Sequence, residues 1–358
     1  MKQKEILILT GRFGMGHSCV AEAIRQQLVQ KNSDMQVRVV DFMDALFPNG
    51  SAWIYGSFAQ MVNHCPSVYN RLNKLAGKCN TLPMQSWIAD KMKELLDGVE
   101  IVVSTFPICA QFAAIYKQKY QTALKIYTYI TDIGAQDEWI VSGTDLYFVG
   151  AEETKLELMA KGISEQNIHI CGIPVRQNFL DSTDRSQERT EILFMGGGLG
   201  LLPSMDDCLS VLSRCETAHV TIITGKNQAL YHKLRAQYPS ITAVGFTDQV
   251  AQYMRQADLL VTKSGGATTF EAIYSETPLY ILQPFLMQEF ANARYIERHQ
   301  LGCVAWKKTQ MTAQEILALA QDTQQLRAMK QNMRQLKQSW EEICPAAVYD
   351  LRREQAVS

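Results

Sequence analysis

The sequence predicts an α/β protein built from two doubly wound domains, because the same pattern occurs in both halves of the chain. Short apolar runs typical of buried parallel strands, such as residues 5–10 and 191–195, alternate with helix-forming segments. Glycine-rich turns follow these two runs at residues 11–16 and 196–200. A strand, a glycine turn and a helix in this order place ligand-binding loops at the carboxyl ends of a parallel sheet.

Length and composition exclude several classes of protein. The 358 residues are enough for two domains with substantial cores. A formal net charge of −1, with 20% charged residues, provides no basic field for nucleic acid. Nine cysteines without regular spacing favour a reducing compartment over a disulfide framework. No signal peptide or membrane-spanning apolar stretch is evident. We therefore expect a cytoplasmic protein, soluble or peripheral on a membrane.

A phosphate-binding pattern lies in the second half of the chain. The apolar residues 259–261 lead into a turn that contains Gly265, Gly266 and Ala267. Glycines allow backbone to approach a ligand, and the free N–H groups at a helix start attract anions. We expect Thr268 or Thr269 to cap the helix that follows.

Polar residues extend this pattern to a second loop. We expect Glu271 to lie in the first turn of the helix, where a carboxylate suits the dipole and can hold a ribose diol. After another apolar run at residues 279–282 come Gln288, Glu289 and Asn292. Two adjacent loops with these groups indicate a nucleotide pocket.

These residues also carry a resemblance to a known family. Lys263-Ser264-Gly265-Gly266, with Thr269, Glu271-Ala272, Pro278, Gln288-Glu289 and Asn292, resembles the donor-binding segment of the glycosyltransferases of family 28. That group contains MurG and the monogalactosyl- and processive glucosyl-diacylglycerol synthases, all of GT-B architecture with two Rossmann-like domains facing a cleft. The resemblance implies an enzyme that uses a UDP-sugar.

The first half of the chain resembles the diacylglycerol glycosyltransferases of this group. The resemblance rests on Gly16-His17, Thr131-Asp132, Trp139, Asp145 with Tyr147, and residues 172–175. The turn before His17 also nearly matches a Walker A motif, but His17 stands where an NTPase needs lysine. The resemblance implies that His17 lies near the reacting hydroxyl. With a usual pKa of about 6.5, His17 is the best candidate for a catalytic base, and we expect Asp132 to orient or assist it.

The predicted domains and site residues follow from these observations. The first domain is expected over residues 1–181, a polar linker over 182–190 and the second domain over 191–344. The family fold implies that the last helix, within residues 345–358, returns to the first domain. The predicted donor-binding residues are Gly16, Gly197, Gly198, Gly225, Phe246, Ser264, Gly265, Gly266, Ala267, Thr268, Thr269, Glu271, Gln288, Glu289 and Asn292.

Aromatic and basic residues are interleaved between Trp53 and Leu96. One interpretation is a pair of amphipathic helices that rest on an anionic membrane and admit a lipid acceptor. The other is that the aromatic residues pack on the domain core. The residues predicted to contact acceptor or membrane are Trp53, Tyr55, Phe58, Tyr69, Phe106 and Trp139.

One base and no second nucleophile predict a single displacement with inversion, so that an α-linked donor gives a β-glycoside. No Asp-x-Asp metal motif is present, and we expect neither a metal nor another cofactor to be required. UDP-glucose or UDP-galactose is the expected donor and diacylglycerol the expected acceptor. The family's Pro-Gly before Gln-Glu is Leu286-Met287 here, and Gln136 or Asp137 replaces a family histidine; these differences bear on donor sugar and acceptor.

Three other functions remain compatible with the sequence. One is a UDP-sugar glycosyltransferase that acts on a soluble small molecule. A second is an isomerase resembling UDP-N-acetylglucosamine 2-epimerase, which binds UDP between two similar domains. The third is a noncatalytic regulator that binds a UDP-sugar.

Overall fold

The computed structural model describes residues 5–33, 35–64, 85–180, 189–203 and 205–340, with backbone alone for residues 58–64. Three predictions fall outside the described residues: most of the linker at 182–190, the final helix within 345–358, and the place of Tyr69. The side chain of Phe58 is likewise outside them.

The chain divides into two compact units. Among the described residues, the first unit runs to Arg176, apart from Gly14–Gly16, and includes Trp340. The second unit consists of Gly14–Gly16 and Gln177–Ser339. Trp340 packs on Gly172 of the first unit: a Cβ at Gly172 would lie 2.7 Å from the Trp340 ring, and Gly172 has a φ of +71°. A glycine is therefore needed at this contact.

The first unit is a six-stranded parallel sheet with the strand order β2-β1-β3-β4-β5-β6. Its strands are β1 (Glu5–Thr10), β2 (Gln36–Asp41), β3 (Ile101–Ser104), β4 (Lys125–Tyr129), β5 (Leu146–Val149) and β6 (Ile168–Ile170). Its helices are α1 (Gly16–Lys31), α2 (Phe42–Leu46), α3 (Ser51–His64), α4 (Gln85–Leu96), α5 (Pro107–Tyr120) and α6 (Glu152–Ala160).

The second unit is also a six-stranded parallel sheet, with the strand order β12-β11-β10-β7-β8-β9. Its strands are β7 (Thr190–Met195), β8 (Ala218–Ile223), β9 (Thr242–Val244), β10 (Leu259–Thr262), β11 (Leu279–Ile281) and β12 (Gly302–Val304). Its helices are α7 (Asp206–Leu212), α8 (Gln228–Gln237), α9 (Val250–Gln256), α10 (Gly266–Tyr274), α11 (Met287–Arg298), α12 (Ala313–Gln321) and α13 (Thr323–Ser339). Single 3₁₀ turns lie at Asp137–Trp139, Glu165–Asn167, Gln177–Phe179 and Lys308–Gln310.

The central strands are mostly apolar and deeply buried because helices cover both faces of each sheet. All four residues of β3 and of β10 are buried, and so are Ile6–Leu9 of β1. Burying each such Leu, Ile or Val side chain contributes roughly 1.5–3 kcal/mol. Two Rossmann-like domains, the predicted fold class, are confirmed.

Two helix starts differ from the prediction. α1 begins at Gly16, the last residue of the predicted glycine turn, so that His17 is its second residue. α10 begins at Gly266 with Gly265 as its N-cap, so neither Thr268 nor Thr269 caps it. The Thr269 hydroxyl instead donates to the carbonyl of Gly265, at 2.8 Å. Glu271 therefore lies in the second turn, farther from the helix dipole's positive end than predicted.

Candidate functional site

Each sheet has one topological switch point, where the strand order reverses and two loops separate at the carboxyl ends of neighbouring strands. In the first unit this point lies between β1 and β3, because β2 pairs on one side of β1 and β3 on the other. In the second unit it lies between β7 and β10. Parallel α/β sheets bind ligands at such points.

His17 lies at the switch point of the first unit. It follows the loop after β1, and its Nδ1 lies 2.9 Å from the carbonyl oxygen of Thr105, which directly follows β3. The hydroxyl of Thr131, just beyond β4, lies 2.9 Å from the same Nδ1. The loops of three adjacent strands thus hold one imidazole.

These contacts determine which ring nitrogen can act as a base. A carbonyl oxygen only accepts hydrogen bonds, so the bond to Thr105 requires a proton on Nδ1. In the neutral ring the lone pair is then on Nε2. His17 can therefore take a proton from a hydroxyl through Nε2 while Nδ1 remains anchored.

Burial lowers the pKa of His17 below its usual value of 6.5. The negative charge of Asp132 and the hydrogen bond to Thr105 act in the opposite direction and raise it, but burial is the largest effect. The charge of Asp132 therefore acts on the pKa of His17, Thr105 and Thr131 supply the contacts to Nδ1, and a catalytic role for Asp132 stays a prediction. The imidazole is neutral at neutral pH, as a general base must be.

Aromatic rings line the region next to His17. Phe106 meets the imidazole edge to face, with centroids 4.9 Å apart, and stacks on Phe13 at 5.0 Å. The Tyr55 hydroxyl donates to Asp41 and accepts from the backbone N–H of Arg12, which ties α3 to the loop after β1. Tyr55 therefore has a structural hydrogen-bonding role that the sequence did not indicate.

Trp139 and Trp53 have opposite environments. Trp139 is 2% exposed and packs in a core cluster with Ile130 and Tyr147, its ring 6.5 Å from that of His17. This burial leaves no surface of the ring for a membrane, and the predicted contact of Trp139 with an acceptor stays a prediction. Trp53 on α3 is 76% exposed, so its side chain is available at the surface.

Glycines pack the loops of the second unit's switch point closely. Gly197, Gly200 and Gly225 have φ values of +70°, +67° and +54°. A Cβ at Gly225 would lie 2.5 Å from the oxygen of Gly198, and the N–H of Lys226 donates to that oxygen at 3.0 Å. A larger residue at Gly200 or Gly225 would therefore displace backbone, whereas at Gly197 only the positive φ disfavours it.

The turn between β10 and α10 presents backbone donors at this switch point. Gly265 caps α10 without a side chain, so the first N–H groups of the helix, from Gly266 onward, need partners outside it. Ser264 donates to the carbonyl of Glu289, and Asn292 donates to the carbonyl of Ser264, both at 2.8 Å. Ser264 and Asn292 therefore hold the turn in place through buried hydrogen bonds.

The remaining predicted donor residues differ in exposure. Glu271 and Glu289 are buried, Gln288 is half-buried, and Phe246 is exposed with the Lys226 ammonium 5.6 Å from its ring centroid. An exposed ring after β9 is suited to stack on a planar base. Roles for these residues, and for Gly16 at the start of α1, stay predictions.

Three residues of these sites were missed in the sequence. Thr131 was noted only as part of the resemblance and Thr105 was not singled out, because no local pattern indicates that either contacts a histidine. Lys263 was noted only as part of the resemblance, although its place directly after β10 put it beside the phosphate-binding turn.

Membrane-spanning helices and clusters of metal ligands are both absent from the described residues. None of the helices described is both long and apolar enough to span a membrane. Within the same residues, no group of three or more His, Cys, Asp or Glu is placed to hold a metal ion.

Both halves of the chain match known protein families. Residues 17–175 match the monogalactosyldiacylglycerol (MGDG) synthase family, and residues 191–343 match the glycosyltransferase family 28 C-terminal domain. A processive diacylglycerol beta-glucosyltransferase of Staphylococcus carnosus (strain TM300) is 29% identical over 94% of this chain and 90% of that protein.

Solved structures share the fold at low identity. MurG of Acinetobacter baumannii has a TM-score of 0.60 at 15% identity and covers 98% of this chain and 100% of its own. A candidate UDP-N-acetylglucosamine 2-epimerase from Listeria monocytogenes has a TM-score of 0.60 at 13% identity, over 92% and 91% of the two chains. At these identities the likeness shows the fold alone.

Proposed function

This chain belongs to the GT-B glycosyltransferases that comprise MGDG synthase and family 28, and we propose that it transfers glucose or galactose from a UDP-sugar to the hydroxyl of diacylglycerol. The class of enzyme, a UDP-sugar-dependent hexosyltransferase, follows from the two matched families. The hexose, the acceptor and the site residues belong to the proposal.

The strongest support for a transfer reaction is the placement of His17. Its Nδ1–H is anchored by Thr105, so Nε2 is the acceptor of a proton. Its pKa is lowered by burial, so the base is neutral at physiological pH. A positioned base of this kind accelerates proton transfer by roughly 10²–10⁴-fold.

The reaction is a single displacement. His17 Nε2 takes the proton of the acceptor hydroxyl as its oxygen forms a bond to C1 of the sugar. The bond between C1 and the β-phosphate oxygen breaks, and UDP leaves with the electron pair. Attack from the face opposite the leaving group inverts C1, so an α-linked donor yields a β-glycoside.

The donor is proposed to bind at the switch point of the second unit. The backbone N–H groups at the start of α10 and the glycine loop after β7 would bind the diphosphate. Glu271 would hold the ribose, Phe246 the uracil, and Gln288 the sugar hydroxyls. We propose that these donors stabilise the leaving group without a metal.

The lipid acceptor is proposed from the relatives and from the first unit's surface. The Staphylococcus carnosus relative is a diacylglycerol glucosyltransferase by name, which favours glucose and a β-linkage. Trp53 is exposed on α3, as a side chain that enters a membrane interface would be. Peripheral contact with an anionic membrane on its cytoplasmic side is part of the proposal.

A panel of UDP-sugars against diacylglycerol and soluble acceptors, with released UDP and the product's anomeric configuration as readouts, tests the function. We expect a β-linked hexosyl-diacylglycerol, with the rate unchanged by EDTA. Transfer to soluble acceptors alone would contradict the lipid acceptor. Conversion of UDP-N-acetylglucosamine without any acceptor would favour the epimerase alternative.

Membrane contact is tested separately by co-sedimentation with vesicles. We expect binding to anionic vesicles at low salt, weakened by Trp53→Ala, with little binding to neutral vesicles. If the protein did not bind anionic vesicles, or if Trp53→Ala did not change its binding, the proposed membrane contact would be contradicted.

A further inference from the structure

Lys263 places a cation at the switch point of the second unit. It is the first residue after β10 and precedes the turn that begins α10. A Cβ built on Gly197 would lie 3.7 Å from Lys263 Cε, so the side chain runs beside the glycine loop that follows β7. Lys263 therefore contacts both loops that separate at the switch point.

Glu289 is the buried partner of this lysine. Its side chain is 2% exposed, and its Oε2 accepts the backbone N–H groups of Phe285 and Leu286, at 3.2 and 3.3 Å. Its Oε1 has no hydrogen-bond partner among the described residues and lies 3.5 Å from Lys263 Nζ. A carboxylate at this depth is costly unless a charge compensates it, and Lys263 supplies that charge.

The ammonium group of Lys263 makes no close hydrogen bond to Glu289. A charge-assisted hydrogen bond is about 2.7–2.9 Å long, so the 3.5 Å separation is an ion pair without a close hydrogen bond. The two backbone N–H groups fix the carboxylate of Glu289 through its Oε2. An ammonium has three N–H donors, and the Lys263 side chain is 25% exposed, so it can also meet a ligand.

We propose that Lys263 is a catalytic residue that binds the donor's diphosphate, and that Glu289 is a positioning residue that fixes the lysine. This inference rests on the proposed function, because the ligand is its UDP-sugar. As the bond between C1 and the β-phosphate breaks, negative charge grows on the departing oxygen, and a fixed ammonium stabilises it without proton transfer. Lys263 thus adds a full charge to the backbone donors of α10.

A series of ligands with increasing numbers of phosphates tests this role. Uridine, UMP and UDP are titrated calorimetrically into the wild-type protein and Lys263→Met. We expect the variant to bind uridine like the wild type and UDP about 10- to 100-fold more weakly, the range for loss of a hydrogen bond to a charged group. Lys263→Arg, which keeps the charge in another geometry, should recover part of the UDP affinity. Glu289→Gln should weaken UDP binding by a smaller factor and leave the affinity for uridine unchanged.

A double variant separates binding from folding. Lys263→Met alone leaves Glu289 buried and unpaired, which lowers the melting temperature. Lys263→Met/Glu289→Gln removes both charges, so we expect it to recover the melting temperature but not the UDP affinity. If it binds UDP as the wild type does, Lys263 only neutralises Glu289 and the inference is wrong. If the wild type binds no UDP, the proposed donor is wrong and this inference fails with it.

Discussion

The two switch points share one topology but present different chemistry. At the first, between β1 and β3, the loops carry an imidazole, aromatic rings and threonines, and the key group is the side chain of His17. At the second, between β7 and β10, the loops carry glycines and a helix start, and the key groups are backbone N–H donors and Lys263.

Under the proposed function, this difference gives one sheet topology two roles. A base must have a tunable pKa and a fixed tautomer, which only a side chain with specific neighbours can provide. An anion site needs several converging donors at short range, which exposed backbone provides best where side chains are absent. Substitutions should therefore affect chemistry at the first switch point and ligand affinity at the second.

The largest expected effect separates these two roles. His17→Ala should lower kcat by roughly 10²–10⁴-fold, the contribution of a general base, and leave UDP affinity unchanged. Steady-state rates and calorimetric titration with UDP measure the two quantities. His232→Ala, at an exposed position of α8, is the matched control and should retain full activity. A loss of UDP binding in His17→Ala would contradict the assignment of UDP affinity to the second switch point alone.

The next effect tests the close packing of the second switch point. Gly200 has a φ of +67°, and a Cβ there would lie 1.9 Å from the carbonyl oxygen of Thr224. Gly200→Ala should therefore destabilise the fold by about 2–4 kcal/mol and weaken UDP binding. Chemical denaturation gives the stability. Gly245→Ala is the control for stability, because a Cβ at Gly245 meets nothing within 4 Å. Equal stabilities of the two variants would contradict the packing argument.

A smaller effect is expected at the predicted ribose contact. Glu271→Gln should weaken UDP binding by about tenfold, since one charge-assisted hydrogen bond is replaced by a neutral one. The dideoxyribose analogue of UDP, which lacks both ribose hydroxyls, is the control ligand and should bind both proteins equally. An equal loss for both ligands would show that Glu271 acts on the fold instead of on the ribose.

The smallest expected effect is a shift in the pH dependence of kcat/KM. Asp132 raises the pKa of His17, against the larger lowering by burial. Asp132→Asn removes that charge, so the pKa should fall further and the acid limb of kcat/KM should move to lower pH. Because His17 is already neutral at neutral pH, the rate there should change less than tenfold. If the acid limb of kcat/KM moved to higher pH in Asp132→Asn, the electrostatic role of Asp132 would be contradicted.

Local patterns accounted for most of the secondary structure and for several site residues. The strands at Glu5–Thr10 and Leu259–Thr262 were predicted from apolar runs, and the glycine turns after them from composition. The starts of α1 and α10 were placed too late, because the glycines that precede them were interpreted as loop residues. A glycine can serve as an N-cap, so composition alone does not locate such a helix start.

The order of strands and glycine turns in the sequence determined the two-domain α/β fold, since apolar runs of strand length must be buried and glycines allow the turns between them. It also determined that a histidine and a glycine turn, the predicted phosphate site, follow separate strands. Only the tertiary structure decided the tautomer and pKa of the histidine and the charge pairing beside the turn. His17 Nδ1 meets residues 88 and 114 positions away, and Glu289 meets a lysine from another loop. Tautomer, pKa and charge pairing depend on distances between remote atoms, and these distances exist only once the sheets have formed.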